Sequence, residues 1–164
     1  MEIRRVTVDD GARLREVRLA ALRDAPDAFA STYGEAFTYP PSLWAGRADD
    51  ASRGSVAATF LLVDGQDTLG MITGLRDAED DQTARLVSLW VAPEARGMGQ
   101  GRRLVEEVVE WAREPGSTCL RLWVTNDNES GNVLYESVGF RPTGNEQPLP
   151  SNPGLMERQM ELLL

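Results

Sequence analysis

The chain has no histidine and no lysine, and all 17 of its basic residues are arginine. Without His there is no Ser-His-Asp or Cys-His relay and no His-ligated zinc. Without Lys there is no Schiff base and no phosphate-loop lysine. Any proton acceptor must therefore be a carboxylate, a Tyr, the single Cys or water. That cysteine, Cys119, can form neither an internal disulfide nor a CxxC site, so the cytoplasm is the expected location. No run approaches the ~18 apolar residues of a membrane span, and the charged start MEIRR does not resemble a signal sequence. Positive charge is also scarce: 17 basic against 26 acidic residues leave a net charge of −9. This argues against a surface that binds nucleic acid or anionic membrane by counterion release. What is present, 164 residues of which 41% are hydrophobic, suits one domain spanning 1–164 around a single core.

Periodicity orders the chain. Glu2 to Val8 alternates and predicts a first strand, with Asp9 as N-cap of a helix running to Asp24. Leu14, Val17, Ala21 and Leu22 supply its buried stripe, and Pro26 marks its end. The segment Phe29 to Trp44 has weaker periodicity, with Ser42 as a second N-cap and five of the 11 aromatics. These serve either core packing or a ligand-facing wall. Val56 to Val63, the turn Asp64-Gly65-Gln66-Asp67, and Thr68 to Leu75 predict a β-hairpin. An acidic turn, Asp77 to Asp81, leads to a strand Arg85 to Val91. Arg102 to Arg113 is an amphipathic helix, Leu120 to Val124 a strand, Ser130 to Val138 a short helix. A strand starting near Arg141 and a last one over Leu155 to Leu163 are separated by a rigid, exposed linker containing Pro148, Pro150 and Pro153. The order implies a mixed α/β (α+β) fold with helices packed on a central sheet.

One segment carries chemistry. Val91-Ala92-Pro93-Glu94-Ala95-Arg96-Gly97-Met98-Gly99-Gln100-Gly101-Arg102 leaves a strand and enters a helix through three alternating glycines. Glycines let consecutive N–H groups turn inward, and the helix N-terminus adds partial positive charge, so the loop suits a polyphosphate. Arg96, Arg102 and Arg103 form a local basic cluster beside it. Two nucleotide motifs fail here: a P-loop needs a Lys, and a dinucleotide fingerprint needs GxGxxG at the first strand.

Arg96, Gly99 and Gly101 match the Arg/Gln-x-x-Gly-x-Gly/Ala signature of the GCN5-related N-acetyltransferase (GNAT) family. Downstream, Asn128 and the stretch Leu134-Tyr135-Glu136-Ser137-Val138-Gly139-Phe140 resemble the same family's second motif. Gly131 stands where the family often has Ala. The resemblance extends along most of the chain. It implies a mostly antiparallel, twisted and splayed sheet of about six or seven strands flanked by about four helices. It also implies that acetyl-CoA is the co-substrate, without a metal. Gly97, Met98, Gly99, Gln100 and Gly101, with Arg96 and Arg102, would cradle its pyrophosphate, and backbone groups near Leu89 and Val91 would pair with its pantetheine arm. Tyr135 resembles the general acid that protonates the departing thiolate. Asn128 either contacts the pantetheine arm or caps the helix that follows.

The implied reaction is acetyl transfer to a primary amine of a small molecule or peptide, by direct attack in a ternary complex. A non-catalytic acyl-CoA sensor is the alternative. Proton removal from the amine has no assigned residue: Glu35, the acidic turn, Asp127 or a water chain at Ser88 are the candidates. Walls for the acceptor are expected at Phe29 to Trp44 and Gly144 to Leu155, where acidity and aromatics would suit a cationic amphiphilic amine or a peptide N-terminus. A homodimer is a further expectation from the resemblance.

Overall fold

A computed structural model describes residues 1–114 and 116–164. Strand β1 (Glu2–Arg5) is followed by helices α1 (Gly11–Asp24), α2 (Tyr33–Thr38) and α3 (Pro41–Arg53). Strands β2 (Ala57–Asp64), β3 (Asp67–Arg76) and β4 (Thr83–Val91) come next, then helix α4 (Gln100–Arg113) and strand β5 (Cys119–Thr125). Helix α5 (Glu129–Val138) and strands β6 (Arg141–Leu149) and β7 (Asn152–Leu163) close the fold. All seven strands form one sheet in the order β1-β2-β3-β4-β5-β7-β6. Only the β4–β5 pair is parallel. No helix among the described residues is long and apolar enough to cross a membrane.

Helices cover both faces of the sheet, which explains why β2 reads as a continuous apolar run rather than an alternating one. Phe60 and Leu62 face one core with Ile72, Leu86, Leu120, Leu122 and the α4 residues Leu104, Val105 and Val108. Leu61 and Val63 face the other, with Met71, Trp90 and the stripe Leu14, Val17, Ala21 and Leu22 of α1. Helix α4 is held by more than area: Trp111 lies so close to β3 that a Cβ on Gly74 would meet its ring at 2.5 Å. The Trp111 Nε1–H donates to the Gly54 carbonyl at 2.7 Å.

The expected sheet of about seven strands flanked by helices is present, with five α-helices among the described residues, the segment with weak periodicity folding into α2 and α3. Other sequence expectations are corrected. Helix α2 starts with a capping box: Thr32 Oγ1 accepts from the Glu35 amide, and Glu35 Oε2 accepts from the Thr32 amide. Ser42 caps nothing, since Pro40 is the N-cap and Pro41 the first helical residue of α3. The proline-rich stretch is no linker. Pro148 and Pro153 lie inside β6 and β7, which meet in a hairpin with Leu149 buried at its tip.

The first strand ends at Arg5, and the residue before α1 is Asp10, not Asp9. Asp10 makes no capping bond because its oxygens are already taken. Arg4 donates to both of them (2.7 and 2.9 Å), and the Thr7 amide and hydroxyl donate to Oδ2 (2.7 and 3.1 Å). Led by the Arg4 bond, these hold the carboxyl down at about 2 from the usual 3.8.

A carboxylate depressed in the native state contributes stability above its unfolded pKa, and that contribution is lost as pH falls through the folded value. The shift corresponds to roughly 2 kcal/mol. Asp10→Asn is expected to lower Tm by about 4–8 °C at pH 7, and the gap to the parent should shrink by roughly half at pH 3. Unfolding curves at the two pH values check this, and equal gaps would show that the charge is not what stabilises.

Candidate active site

The central feature is a gap in the sheet. β4 and β5 pair only from Thr83–Cys119 to Arg85–Arg121; beyond that point they share no ladder. The divergence coincides with a β-bulge. Met71 lies opposite Trp90 and Thr73 opposite Val87, so β4 carries one residue more than β3 there. Ser88 sits in the bulge at φ 62°, the only described non-glycine residue with a positive φ. Such a conformation costs on the order of 1–3 kcal/mol and persists only where neighbours enforce it. Arg18 of α1 is one such neighbour, donating from Nη1 to Ser88 Oγ at 2.9 Å.

The glycine loop lies at the open end of this gap. Gly97 and Gly99 have φ of 73° and 74°, and a Cβ built on either meets nothing within 4 Å, so the loop is hollow where side chains would stand. The first hydrogen bond of α4 runs from the Arg103 amide to the Gly99 carbonyl. Among the described residues, none of the six amides from Gly97 to Arg102 donates a hydrogen bond. A run of unpaired N–H groups at a helix N-terminus is an anion cradle.

These amides open onto a cavity of about 460 Å³ that is also lined by Leu89, Val91, Arg96, Arg102, Asn128 and Tyr135. All but one of the sequence-selected residues thus meet around one space. The exception is Met98, whose side chain points to solvent. The arginines differ from expectation in being engaged. Arg96 pairs with Asp24 at the end of α1, and its Nε donates to the Val91 carbonyl at 2.9 Å, taking one of that oxygen's two acceptor positions. Arg102 pairs with Glu106 at 2.9 Å. Trp90 Nε1 also donates to Asp24 (2.9 Å), and this bond first, then Arg96, lowers the Asp24 pKa.

Asn128 acts here as the N-cap of α5, its Oδ1 accepting from the Gly131 amide at 3.0 Å. Gly131 leaves room for that side chain: an added Cβ would lie 2.6 Å from Asn128 Nδ2 and would shift it. Tyr135 is buried between α5 and the core, its ring edge-on to Phe140 at 5.8 Å. Its hydroxyl has no hydrogen-bond partner among the described residues, and burial raises its pKa above the ordinary phenol value. The group stays protonated throughout the physiological range.

A second cavity of about 530 Å³ is lined by β4 from Arg85 to Ser88, by Arg121 to Trp123 of β5 and by Glu157 and Gln159 of β7. Two residues not singled out in the sequence line it, Arg18 and Glu157. Glu157 is 6% exposed and accepts from Gln147 Nε2 at 2.7 Å. No sequence signal singled it out: β7 also carries Glu161, and only packing shows that Glu157 is the buried one. Of the sequence candidates for the base, Glu35 caps α2 and Asp80 holds the Gln82 amide and Thr83 hydroxyl, whereas Asp77 and Ser88 line this same cavity.

A splayed parallel pair with an amide cradle at its open end defines the class of acyl-CoA-dependent transferases. The chain belongs to the Acetyltransferase (GNAT) family, whose sequence pattern matches residues 19–140. It is 26% identical over 137 residues to the L-amino acid N-acyltransferase MnaT of Escherichia coli, covering 76% of this chain and 78% of that protein. Three further curated relatives are matched over only 14 to 29% of their own length. An acetyltransferase of the GNAT family from Streptococcus pneumoniae has the same fold, with a TM-score of 0.82 at 20% identity and 99% of both chains covered. So does yncA from Salmonella typhimurium, solved with its cofactor acetyl-CoA, with a TM-score of 0.80 at 20% identity over 100% of this chain and 94% of that one.

Gly99→Val should remove coenzyme A binding, because it forces a β-branched residue into a left-handed conformation and fills the cradle. Thermal unfolding with coenzyme A is the check: the parent should gain roughly 2.7 kcal/mol at 100 times Kd and the variant nothing. An undiminished gain would remove the cradle assignment.

Proposed function

We propose that the protein, as one catalytic domain over residues 1–164, is an acetyl-CoA-dependent N-acetyltransferase acting on a primary amine by direct attack in a ternary complex. The observation that carries this reading is the run of six unpaired amides opening onto the cavity that Tyr135 lines, at the point where β4 leaves β5. The amides take the pyrophosphate, and the unladdered edge of β4 beyond Arg85 offers backbone groups to the pantetheine arm, as a strand would. The amine enters from the Glu157 side. Its nitrogen lone pair attacks the acetyl carbonyl, the C–N bond forms, and the C–S bond breaks as the electron pair passes to sulfur. Tyr135 gives its proton to that sulfur, releasing coenzyme A as the thiol.

Burial penalises phenolate and thiolate alike, so the dry wall that raises the phenol pKa also makes the departing sulfur more basic. The amine must shed a proton too. An alkylammonium with pKa ~10.4 costs about 4.6 kcal/mol to present neutral at pH 7. Glu157, buried at the gap with one amide donor, takes that proton directly or through water, and the Tyr135 phenolate is reprotonated from the same pool. Most of the acceleration comes from holding amine and thioester together in attack geometry.

Tyr135→Phe is expected to lower kcat by 10²-fold or more, on the order of a lost general acid, with little change in acetyl-CoA affinity. Glu157→Gln should depress kcat/KM most below pH 8 and recover at high pH, where the amine arrives neutral. Free thiol release across pH 6–10 tests both. A Tyr135→Phe enzyme as fast as the parent would remove the acid, and a pH-independent Glu157→Gln defect would remove the base.

A further inference from the structure

Arg18 is a half-buried cation that pairs with no carboxylate among the described residues. Its guanidinium lies 4.5 Å from the centre of the Phe29 ring. Nη1 donates to Ser88 Oγ at 2.9 Å and Nη2 to Ser31 Oγ at 2.8 Å. A guanidinium has five N–H groups, and among the described residues Arg18 uses only these two and pairs with no carboxylate. Burial, and then the nearby charge of Arg47, push its pKa down to about 10, which leaves it charged at neutral pH.

Arg18, Ser31 and Ser88 stand where two cavities meet. One is the gap that Glu157 lines; the other, of about 480 Å³, lies between α1, α3 and the sheet. Arg47 lines the second cavity and has no carboxylate partner either; its guanidinium rests 5.2 and 5.1 Å from the rings of Tyr39 and Trp44. Asp50, the one carboxylate on that cavity, pairs with neither arginine. Trp44 is 3% exposed, and its indole N–H is buried without an acceptor. The second cavity therefore concentrates donors and positive charge, with Asp50 its one carboxylate among the described residues, within a protein of net charge −9. A partly desolvated cation without a partner is costly, and an arriving anion compensates for the lost hydration and offsets the repulsion from Arg47.

We propose that the acceptor amine carries a carboxylate, bound by Arg18 with Arg47, so that the substrates are amino acids with apolar or aromatic side chains seated against Tyr39 and Trp44. The inference rests on the acetyl-transfer reading above and names its acceptor class. It reverses the expectation of a cationic amphiphile, which would meet two like charges at the entrance. Ser88 ties the anion site to the bulge: the hydroxyl that steadies the strained residue also orients the guanidinium, leaving its remaining N–H groups for a carboxylate.

The test compares amines matched except for the carboxylate, L-phenylalanine with phenethylamine and L-leucine with isoamylamine, by free thiol release from acetyl-CoA. The parent should favour each amino acid by about 30-fold or more in kcat/KM, because the amine alone leaves buried donors unpaired. In Arg18→Gln that preference should fall to within about threefold, and in the surface-placed Arg47→Gln it should narrow by roughly fivefold. Thermal unfolding with phenylacetate, a carboxylate without an amine, gives a second readout: it should protect the parent and not Arg18→Gln.

If no amine releases thiol while phenylacetate still protects through Arg18, acetyl transfer is wrong and the anion site stands. If thiol is released but the parent treats matched pairs alike, or Arg18→Gln lowers both members equally, the anion site is wrong and transfer stands. Absence of both thiol release and protection overturns both.

Discussion

The hydrogen bonds that β4 and β5 do not make govern the rest of this structure. A parallel pair that stopped pairing after three residues on each side would be a defect in most sheets, since it strands backbone groups in the protein interior. Here the defect is maintained. Ser88 is held in a left-handed conformation, Arg18 braces its hydroxyl, and the hairpin of β6 and β7 keeps β5 in register on its other side. The gap so produced places a strand edge, a glycine loop and the Tyr135 hydroxyl around one cavity, and Glu157 with Arg18 around another. A linear arm that offers amide and carbonyl groups at strand spacing can complete the ladder where protein does not.

The restriction of all basic residues to arginine gives the molecule a second consistent character. Guanidinium groups remain charged at any physiological pH and combine planar hydrogen bonding with stacking. Arg4 binds Asp10 through two nitrogens, Arg76 lies 4.2 Å from the centre of the Trp111 ring, and Arg47 rests on Tyr39 and Trp44. Arg96 joins the glycine loop to the end of α1 through Asp24, which also holds Trp90 of β4. The glycine loop is thereby anchored to the helix that carries Arg18. Donor-side and acceptor-side walls share one rigid element.

Electrostatics divide the two sides by mechanism. At the glycine loop Arg96 and Arg102 are paired with carboxylates, while the six amides from Gly97 to Arg102 and the Arg103 guanidinium are not. On the acceptor side the positive field comes from side chains that lack such partners. Arg18 and Arg47 are two such side chains, and both line the cavity between α1, α3 and the sheet.

The sequence by itself determined a great deal. The glycine spacing after Val91 and the Leu134 to Phe140 stretch identified the family and the residues around the coenzyme cavity. These features are legible because they are local: a left-handed turn, a helix N-terminus and a C-cap at Gly139 are each set by a few neighbouring residues. Strand limits were read to within a few residues wherever an apolar run ended in a turn. Helices α2 and α3 were not, because short segments capped by Thr32 and Pro40 carry little periodicity. The prolines of the last hairpin read as a linker because each lacks an N–H, yet edge and end positions tolerate that loss.

Only the tertiary structure decided what Glu157 and Arg18 face. Both look like ordinary polar residues of a strand and a helix in the sequence. Their meaning depends on which groups, 70 residues away in the case of Arg18 and Ser88, the sheet brings against them. Burial and the absence of a counter-ion are properties of packing across the chain, and no local pattern of residues encodes them.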